Sequence, residues 1–211
     1  AQEDVRFGFQ SSPTFSWMNT NNNRINSSGV NLGLKLGMIG EFFFRENYAV
    51  TSGIGFWFNS GGTLLHEYRG IYWDPEILPP GIDTLPGMVK LKYGIQFVEI
   101  PIGLKMRTRE FGYNRFFVEP NLALGFKTQA RGTARGANLG EEVTKINIRK
   151  EVGPINMSWG INGGVERAIS ESASLVLGAG FQIGFADLTR NRGTTFEQNN
   201  TEKDRKENSK G

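Results

Sequence analysis

The sequence predicts an all-β protein, an antiparallel up-and-down transmembrane β-barrel with seven strands visible and an eighth expected for closure. Three observations predict it. Apolar and polar residues alternate strictly over stretches far longer than the about five or six residues of an ordinary strand. The connections between these stretches are alternately short and long. Gly supplies 28 of the 211 residues and Phe 16, whereas the hydrophobic share is only 38%. That is about twice the usual glycine content and low for a water-soluble core of this size. No run of about 18 apolar residues occurs, so no transmembrane helix is predicted.

The first strand carries Val5, Phe7, Phe9, Phe15 and Trp17 on one face and Arg6, Gly8, Gln10 and Thr14 on the other. The second sets Val30, Leu32, Leu34, Leu36, Met38 and Phe42 against Asn31, Gly33, Lys35, Gly37 and Glu41. The third sets Tyr48, Val50, Ile54, Phe56 and Phe58 against Ala49, Thr51, Gly53, Gly55, Trp57 and Asn59. In the fourth, from Met88 to Met106, the apolar residues sit at odd positions through Phe97 and at even positions from Val98. One extra residue resets strand parity, so a β-bulge near Phe97-Val98 is expected to keep the apolar residues on one face. The fifth strand has Phe116, Val118, Leu122, Leu124 and Phe126 opposite Glu119, Asn121, Gly125 and Lys127. The sixth has Ile155, Met157, Trp159, Ile161 and Val165 opposite Asn156, Ser158, Gly160, Asn162 and Glu166. The seventh has Leu175, Leu177, Ala179, Phe181, Ile183 and Phe185 opposite Ser174, Gly178, Gly180, Gln182 and Gly184.

Short links join strands two and three, four and five, and six and seven. Long ones follow strands one, three and five, at about residues 19–29, 61–87 and 130–154. Short turns on one rim and long loops on the other are the pattern of a membrane barrel with periplasmic turns and extracellular loops. Strands of about 11 to 14 residues suffice to cross a bilayer at ~45° tilt. Residues 1–188 therefore form the barrel domain, and 189–211 a polar tail without a strand pattern, at the place of a fourth outer loop. Bacterial barrels have even strand numbers, and an open edge in lipid would leave a row of unpaired amides. The expectation is that the sequence stops inside the last outer loop, before the closing strand. It begins Ala1-Gln2, which fits a mature chain after signal-peptide removal.

Alternation alone leaves the facing open, since a soluble lipocalin-like barrel would turn its apolar face inward. Apolar-out is favoured by the polar face, which carries Arg6, Lys35, Lys105, Lys127 and Glu41, Glu99, Glu119, Glu166 together with many glycines suited to a crowded interior. It is also favoured by aromatics near the strand ends, as in interfacial girdles: Phe7, Trp17, Phe42, Tyr48, Phe58, Phe116, Phe126 and Phe185. An eight-stranded barrel is just filled by its own side chains. The eight charged lumen residues are therefore expected to pair as a packed ionic network rather than line a pore.

No Cys and a single His remove disulfides, thiol chemistry and nearly every metal site, and no cofactor is expected. A balance of 24 basic to 21 acidic residues does not argue for nucleic acid. His66, in the second long loop near Ser60, Glu67 and Asp74, allows a Ser-His-acid set on paper, but no fixed spacing supports it, and no enzyme is expected. The same loop holds Tyr68, Tyr72 and Trp73, followed by Pro75, Pro79, Pro80 and Pro86. Aromatics on a proline-stiffened loop make His66, Tyr68, Tyr72 and Trp73 a candidate partner-binding surface. The alternative is that Tyr72 and Trp73 fold back to cap the barrel mouth. Arg131, Arg135, Lys145, Arg149 and Lys150 of the third loop could meet lipopolysaccharide phosphates, but Glu141, Glu142 and Glu151 offset them, and a solvated loop is the expected reading.

Several segments, in this order, resemble the PorT family of outer-membrane barrels: Arg6 to Trp17, Phe42-Phe-Phe-Arg-Glu-Asn-Tyr48, Gln96-Phe-Val-Glu-Ile-Pro-Ile-Gly-Leu-Lys105, Thr108-Arg-Glu-Phe-Gly112 and Gly178 to Asp187. The resemblance implies an eight-stranded barrel in the bacterial outer membrane and, from the family's name-giving member, a part in type IX protein secretion. It transfers no catalytic or binding residue. The expected partners are outer-membrane lipid, lipopolysaccharide and other envelope or secretion-system proteins. The competing reading is a small surface-binding or adhesin-like barrel with no secretion role.

Overall fold

A computed structural model describes residues 5–21, 24–136, 139, 143–185 and 188, together with the backbone of 194–196, 202–204 and 209–210. Seven long antiparallel strands form one curled sheet: β1 (Val5–Ser16), β2 (Ile25–Arg45), β3 (Tyr48–His66), β4 (Val89–Arg107), β5 (Asn114–Arg135), β6 (Ile155–Ala168) and β7 (Ser174–Gly184). Each pairs with the next in sequence. The strand Val143–Asn147 adds to the far end of β5. Among the described residues, β1 and β7 do not pair with each other. Their outer ends still approach, with the rings of Trp17 and Phe181 6.2 Å apart. Of the tail, Thr194–Phe196 pairs with Glu202–Asp204, and Ser209–Lys210 pairs with Asn19–Thr20 just beyond β1. These short pairings fall where no strand pattern is legible; the rest of 189–211 lies outside the described residues.

The short turns lie at one end and the long connections at the other, as the spacing predicts. The strands are longer than predicted: β2 to β5 run 19 to 22 residues. The extra length comes from segments read as loops: 25–29, 61–66 and 130–135 continue the sheet past the apolar belt, alongside 89–95, which the sequence already places in the fourth strand.

The polarity of the wall reverses along this length. Toward the short turns, apolar residues face outward and are exposed, among them Phe42, Tyr48, Val50, Phe56, Phe58, Ile100, Ile102, Leu122 and Trp159. Toward the long loops, apolar residues face inward and are fully buried: Leu64, Val89, Leu91, Tyr93, Ile95 and Ala130. The belt from Tyr48 to Phe58 spans 11 residues, long enough for a tilted strand to cross a bilayer. The part beyond it, at ~3.3 Å per residue, stands roughly 20 Å clear of that belt. One half is built for lipid and the other for water.

This reversal corrects the bulge expected in the fourth strand. Odd positions of β4 face inward from Val89 to Arg107 without interruption, through Phe97, Glu99, Gly103 and Lys105. The apolar residues change parity because the surroundings change, not the strand. The bulges sit in its neighbours at the same level. The β3–β4 register shifts between Trp57 and Ser60, and β5 holds an extra residue, Thr128, where Gln96 pairs with Gln129 and Phe97 with Lys127. Asn59 takes up the β3 shift in the left-handed region at φ 57°, which Asn tolerates better than most residues. Gly61 follows at φ 111°, and a Cβ there would lie 2.4 Å from the carbonyl oxygen of Tyr93.

Deleting Thr128 is expected to turn Arg131, Thr133 and Arg135 inward and Ala130, Gly132 and Ala134 outward. The deletion protein should not form the compact, SDS-resistant species on unboiled gels. Recovery of that species at wild-type yield would show that the bulge does not set the facing.

Candidate functional site

The interior is filled in layers, beginning at the short-turn end. Glu166 on β6 is the hub of the first layer. Its Oε1 accepts from Arg6 Nη1 at 2.7 Å and from Arg107 Nη1 at 3.1 Å, and its Oε2 lies 3.3 Å from Lys105 Nζ. Lys105 also pairs with Glu41. Arg107 Nη2 donates to the Glu46 carbonyl in the β2–β3 turn at 3.0 Å, tying the layer to the rim. Two aromatic rings support these cations: Arg107 stacks 4.1 Å and Arg6 5.3 Å from the Phe43 centroid, and Lys105 lies 4.7 Å from that of Phe117. Glu119 accepts a hydrogen bond from Asn162 at 3.4 Å.

The second layer joins Lys35 to Glu99 at 2.6 Å and to Gln182 Oε1 at 2.9 Å, and Gln182 donates on to Ser158. Lys35 sits 4.4 Å from the Trp57 ring, whose Nε1 donates to Thr14 at 3.0 Å. Trp57 and Phe97, 6.4 Å apart, separate this layer from the apolar half above. Four cations (Arg6, Lys35, Lys105, Arg107) share the lumen with four carboxylates (Glu41, Glu99, Glu119, Glu166). Removal from water is tolerated because each of these cations meets Glu41, Glu99 or Glu166 at ion-pair distance.

The structure thus brings together seven of the eight predicted lumen charges. Lys127 is the exception: it donates to the carbonyl oxygens of Arg149 and Val152 and holds the third long connection against the wall. It lies just above the boundary, where the interior has turned apolar. Sequence reasoning missed Arg107, although it follows Lys105 by two residues and so shares its face. Ending the fourth strand at Met106 had placed it in a turn.

Above the boundary the interior is an apolar core. Met18, Leu64, Tyr72, Trp73, Leu85, Leu91, Tyr93, Ile95, Ile148 and Val152 are all at most 2% exposed. The second long connection roofs it. Gly70 and Leu85 bridge antiparallel, and a 3-10 turn at Pro75–Ile77 is capped by Asp74, which accepts from the Glu76 amide at 3.0 Å. Trp73 meets Tyr93 edge-on at 5.9 Å and covers Gly132, where an added Cβ would lie 2.7 Å from the indole. His66 is completely buried, with its ring 4.0 Å from that of Tyr72.

His66, Tyr72 and Trp73 are therefore interior packing and not a recognition surface; Tyr68 is half-buried, with the Arg24 guanidinium 5.0 Å from its ring. Burial of these rings offsets the conformational entropy of ordering a long connection. Of the acids in the Ser-His-acid set, Glu67 accepts from Asn26 and Asp74 caps the 3-10 turn. Among the described residues no group of His, Asp and Glu converges as a metal site would need. The predicted lipid-facing aromatics Phe7, Trp17, Phe42, Tyr48, Phe58, Phe116, Phe126 and Phe185 are all exposed on the outer surface.

Glu166→Gln leaves three cations around a neutral amide, a loss of about 3–5 kcal/mol for a broken buried pair. A clear fall in the urea midpoint of the lipid-reconstituted protein is expected, and an unchanged midpoint would remove Glu166 as the hub. Replacing both members of a pair, Lys35→Met with Glu99→Leu, should be milder than Lys35→Met alone. At the roof, Gly132→Ala should destabilise the protein less when Trp73→Leu has already made room; simple additivity in that double-mutant cycle would mean that the two do not touch.

Residues 1–190 match the family model described as outer membrane protein beta-barrel domain. No curated protein and no solved structure matches the chain.

Proposed function

The chain belongs to the outer membrane protein beta-barrel domain family, and on that premise we propose that it is a non-enzymatic barrel, exported with loss of a signal peptide, that acts through its outer surfaces. Its task in this reading is to bind other envelope proteins during envelope assembly or type IX protein secretion. One observation carries the proposal: the interior is closed twice, by two ionic layers and by an apolar core with a roof. A lumen filled in this way offers no wide path to a solute, so the work falls to the rim, the outer wall and the connections. The secretion role draws its support from the PorT-like segments.

The test is the set of proteins released to the medium by a clean deletion strain compared with its parent. Loss of a whole class of secreted proteins, restored by the wild-type gene, is expected. An unchanged medium would overturn the secretion role and leave a barrel that binds at the cell surface.

A further inference from the structure

We propose that the opening between β1 and β7 is filled by one further strand of this polypeptide, which enters at the long-connection end beside Asn19–Thr20 and runs toward the short turns, antiparallel to both edges. The inference rests on the reading of this chain as an outer-membrane barrel. An eighth strand is expected from the sequence, which leaves its place and direction open; the two edges supply both. β1 and β7 each run from the short-turn end to the long-connection end, so they are parallel to one another. A single strand between them is antiparallel to each, as all neighbours in the main sheet already are.

The edge of β1 presents a row of backbone groups to the opening. Pro13 lies directly opposite Leu34 of β2. Proline has no amide hydrogen, so this is a pair without mutual hydrogen bonds, and the odd positions of β1 direct their amides away from β2. Val5, Phe7, Phe9, Ser11 and Phe15 thus offer donors to whatever lies beside them. Their level is the lipid-facing belt, where the Phe7 and Phe9 rings are almost fully exposed. Acyl chains hold no acceptor for these amides, so an edge of this length does not stand open in a membrane.

Direct pairing of β1 with β7 would close the edges but not fill the interior. Ser174, Val176, Gly178 and Gly180 of β7 face the lumen, and so does Gly8 of β1, yet all five are exposed, whereas Glu99, Gly103, Lys105 and Arg107 of β4 are buried. Nothing lies within 4 Å of a Cβ added at Gly8. An eight-stranded interior is just filled by its own side chains, so the space beside the opening is the share of the eighth strand. Side chains hold the two edges in place across it: Arg6 of β1 reaches Glu166 of β6 at 2.7 Å, and Lys35 of β2 reaches Gln182 of β7 at 2.9 Å. Direction comes from the tail. Ser209 pairs with Thr20 and Lys210 with Asn19, antiparallel, so the chain there advances toward β1. Continued beside β1, it descends from the long connections to the short turns.

The test compares the gene's full-length product in lipid bilayers with a chain stopped after Lys210. Amide hydrogen exchange is read at Phe7, Phe9, Ser11 and Phe15, and cysteine pairs exploit the absence of native Cys. In the full-length protein these four amides should exchange at least about tenfold more slowly than in the stopped chain. An intervening strand sets β1 and β7 about 9.6 Å apart, two strand spacings, which exceeds the roughly 7 Å that a disulfide spans between Cα atoms. S12C should therefore form no disulfide with G178C or G180C, whereas a cysteine two residues beyond Lys210 should form one with W17C. A disulfide from S12C to either glycine position would overturn the proposal in favour of direct closure. So would free exchange of the four amides in the folded full-length protein, or equal protection in the stopped chain. If the stopped chain does not fold, the exchange rates of the full-length protein and the cysteine pairs decide alone. A bridge from the residue beyond Lys210 to V5C in place of W17C would overturn the direction. Failure of the full-length protein to insert into any bilayer would instead overturn the barrel reading on which the strand depends.

Discussion

A wall of strands that stands partly in lipid and partly in water must exchange its faces at the boundary. The rest of this structure follows from how it does so. Below the boundary the outer face meets acyl chains, so Ile100, Ile102 and Phe126 point outward, and the interior takes the polar residues. Above it the outer face meets water, so Lys90, Lys92 and Arg131 point outward, and the interior can be a dry core of Leu91, Tyr93 and Ile95. In β4 the residues exchange while the facing stays constant. In β3 and β5 the facing itself exchanges, through the bulges at Asn59 and Thr128. Both devices act at one level of the wall, which is what keeps the boundary flat across strands.

The two interiors are stabilised differently. Charges buried within the membrane half are held by mutual pairing, with Glu166 collecting three cations and Phe43 and Phe117 lending their ring faces. Such a network fixes the geometry of the lumen more than it adds net stability. The upper half is stabilised as an ordinary water-soluble core, by burying Trp73, Tyr72 and their neighbours under a connection that prolines and a capped 3-10 turn keep in shape. The long second connection is thus a structural lid. Its aromatic content, which on a free loop would advertise a binding surface, is used up inside.

Much of the barrel is legible in the sequence because period-two alternation reports facing directly wherever one environment persists. The strand order, the alternation of short and long connections and seven of the lumen charges all follow from it. The upper half is less legible because the environment changes there without any change in backbone period. In β4 that change imitates a bulge. In Ser60–His66 and Ala130–Arg135 it removes the apolar-out pattern, so strand residues read as loop. The fate of Tyr72 and Trp73 is a tertiary matter: local composition does not distinguish an aromatic offered to a partner from one folded back onto Gly132. Lys127 was misplaced for a related reason, lying one step past the level where lumen charges stop.

The boundary can be measured strand by strand, since the absence of native cysteine allows single-cysteine labelling without background. Spin labels placed in turn from Val89 to Arg107, in the protein reconstituted in lipid, would report collisions with oxygen from the bilayer and with a water-soluble nickel complex. The account predicts that odd positions are shielded from both along the whole strand. Positions 90, 92, 94 and 96 should meet the nickel complex, and 100, 102 and 104 should meet oxygen. A shielded set that changes from even to odd positions near Phe97 would contradict it, because β4 would then carry the bulge and the apolar residues beyond it would face outward.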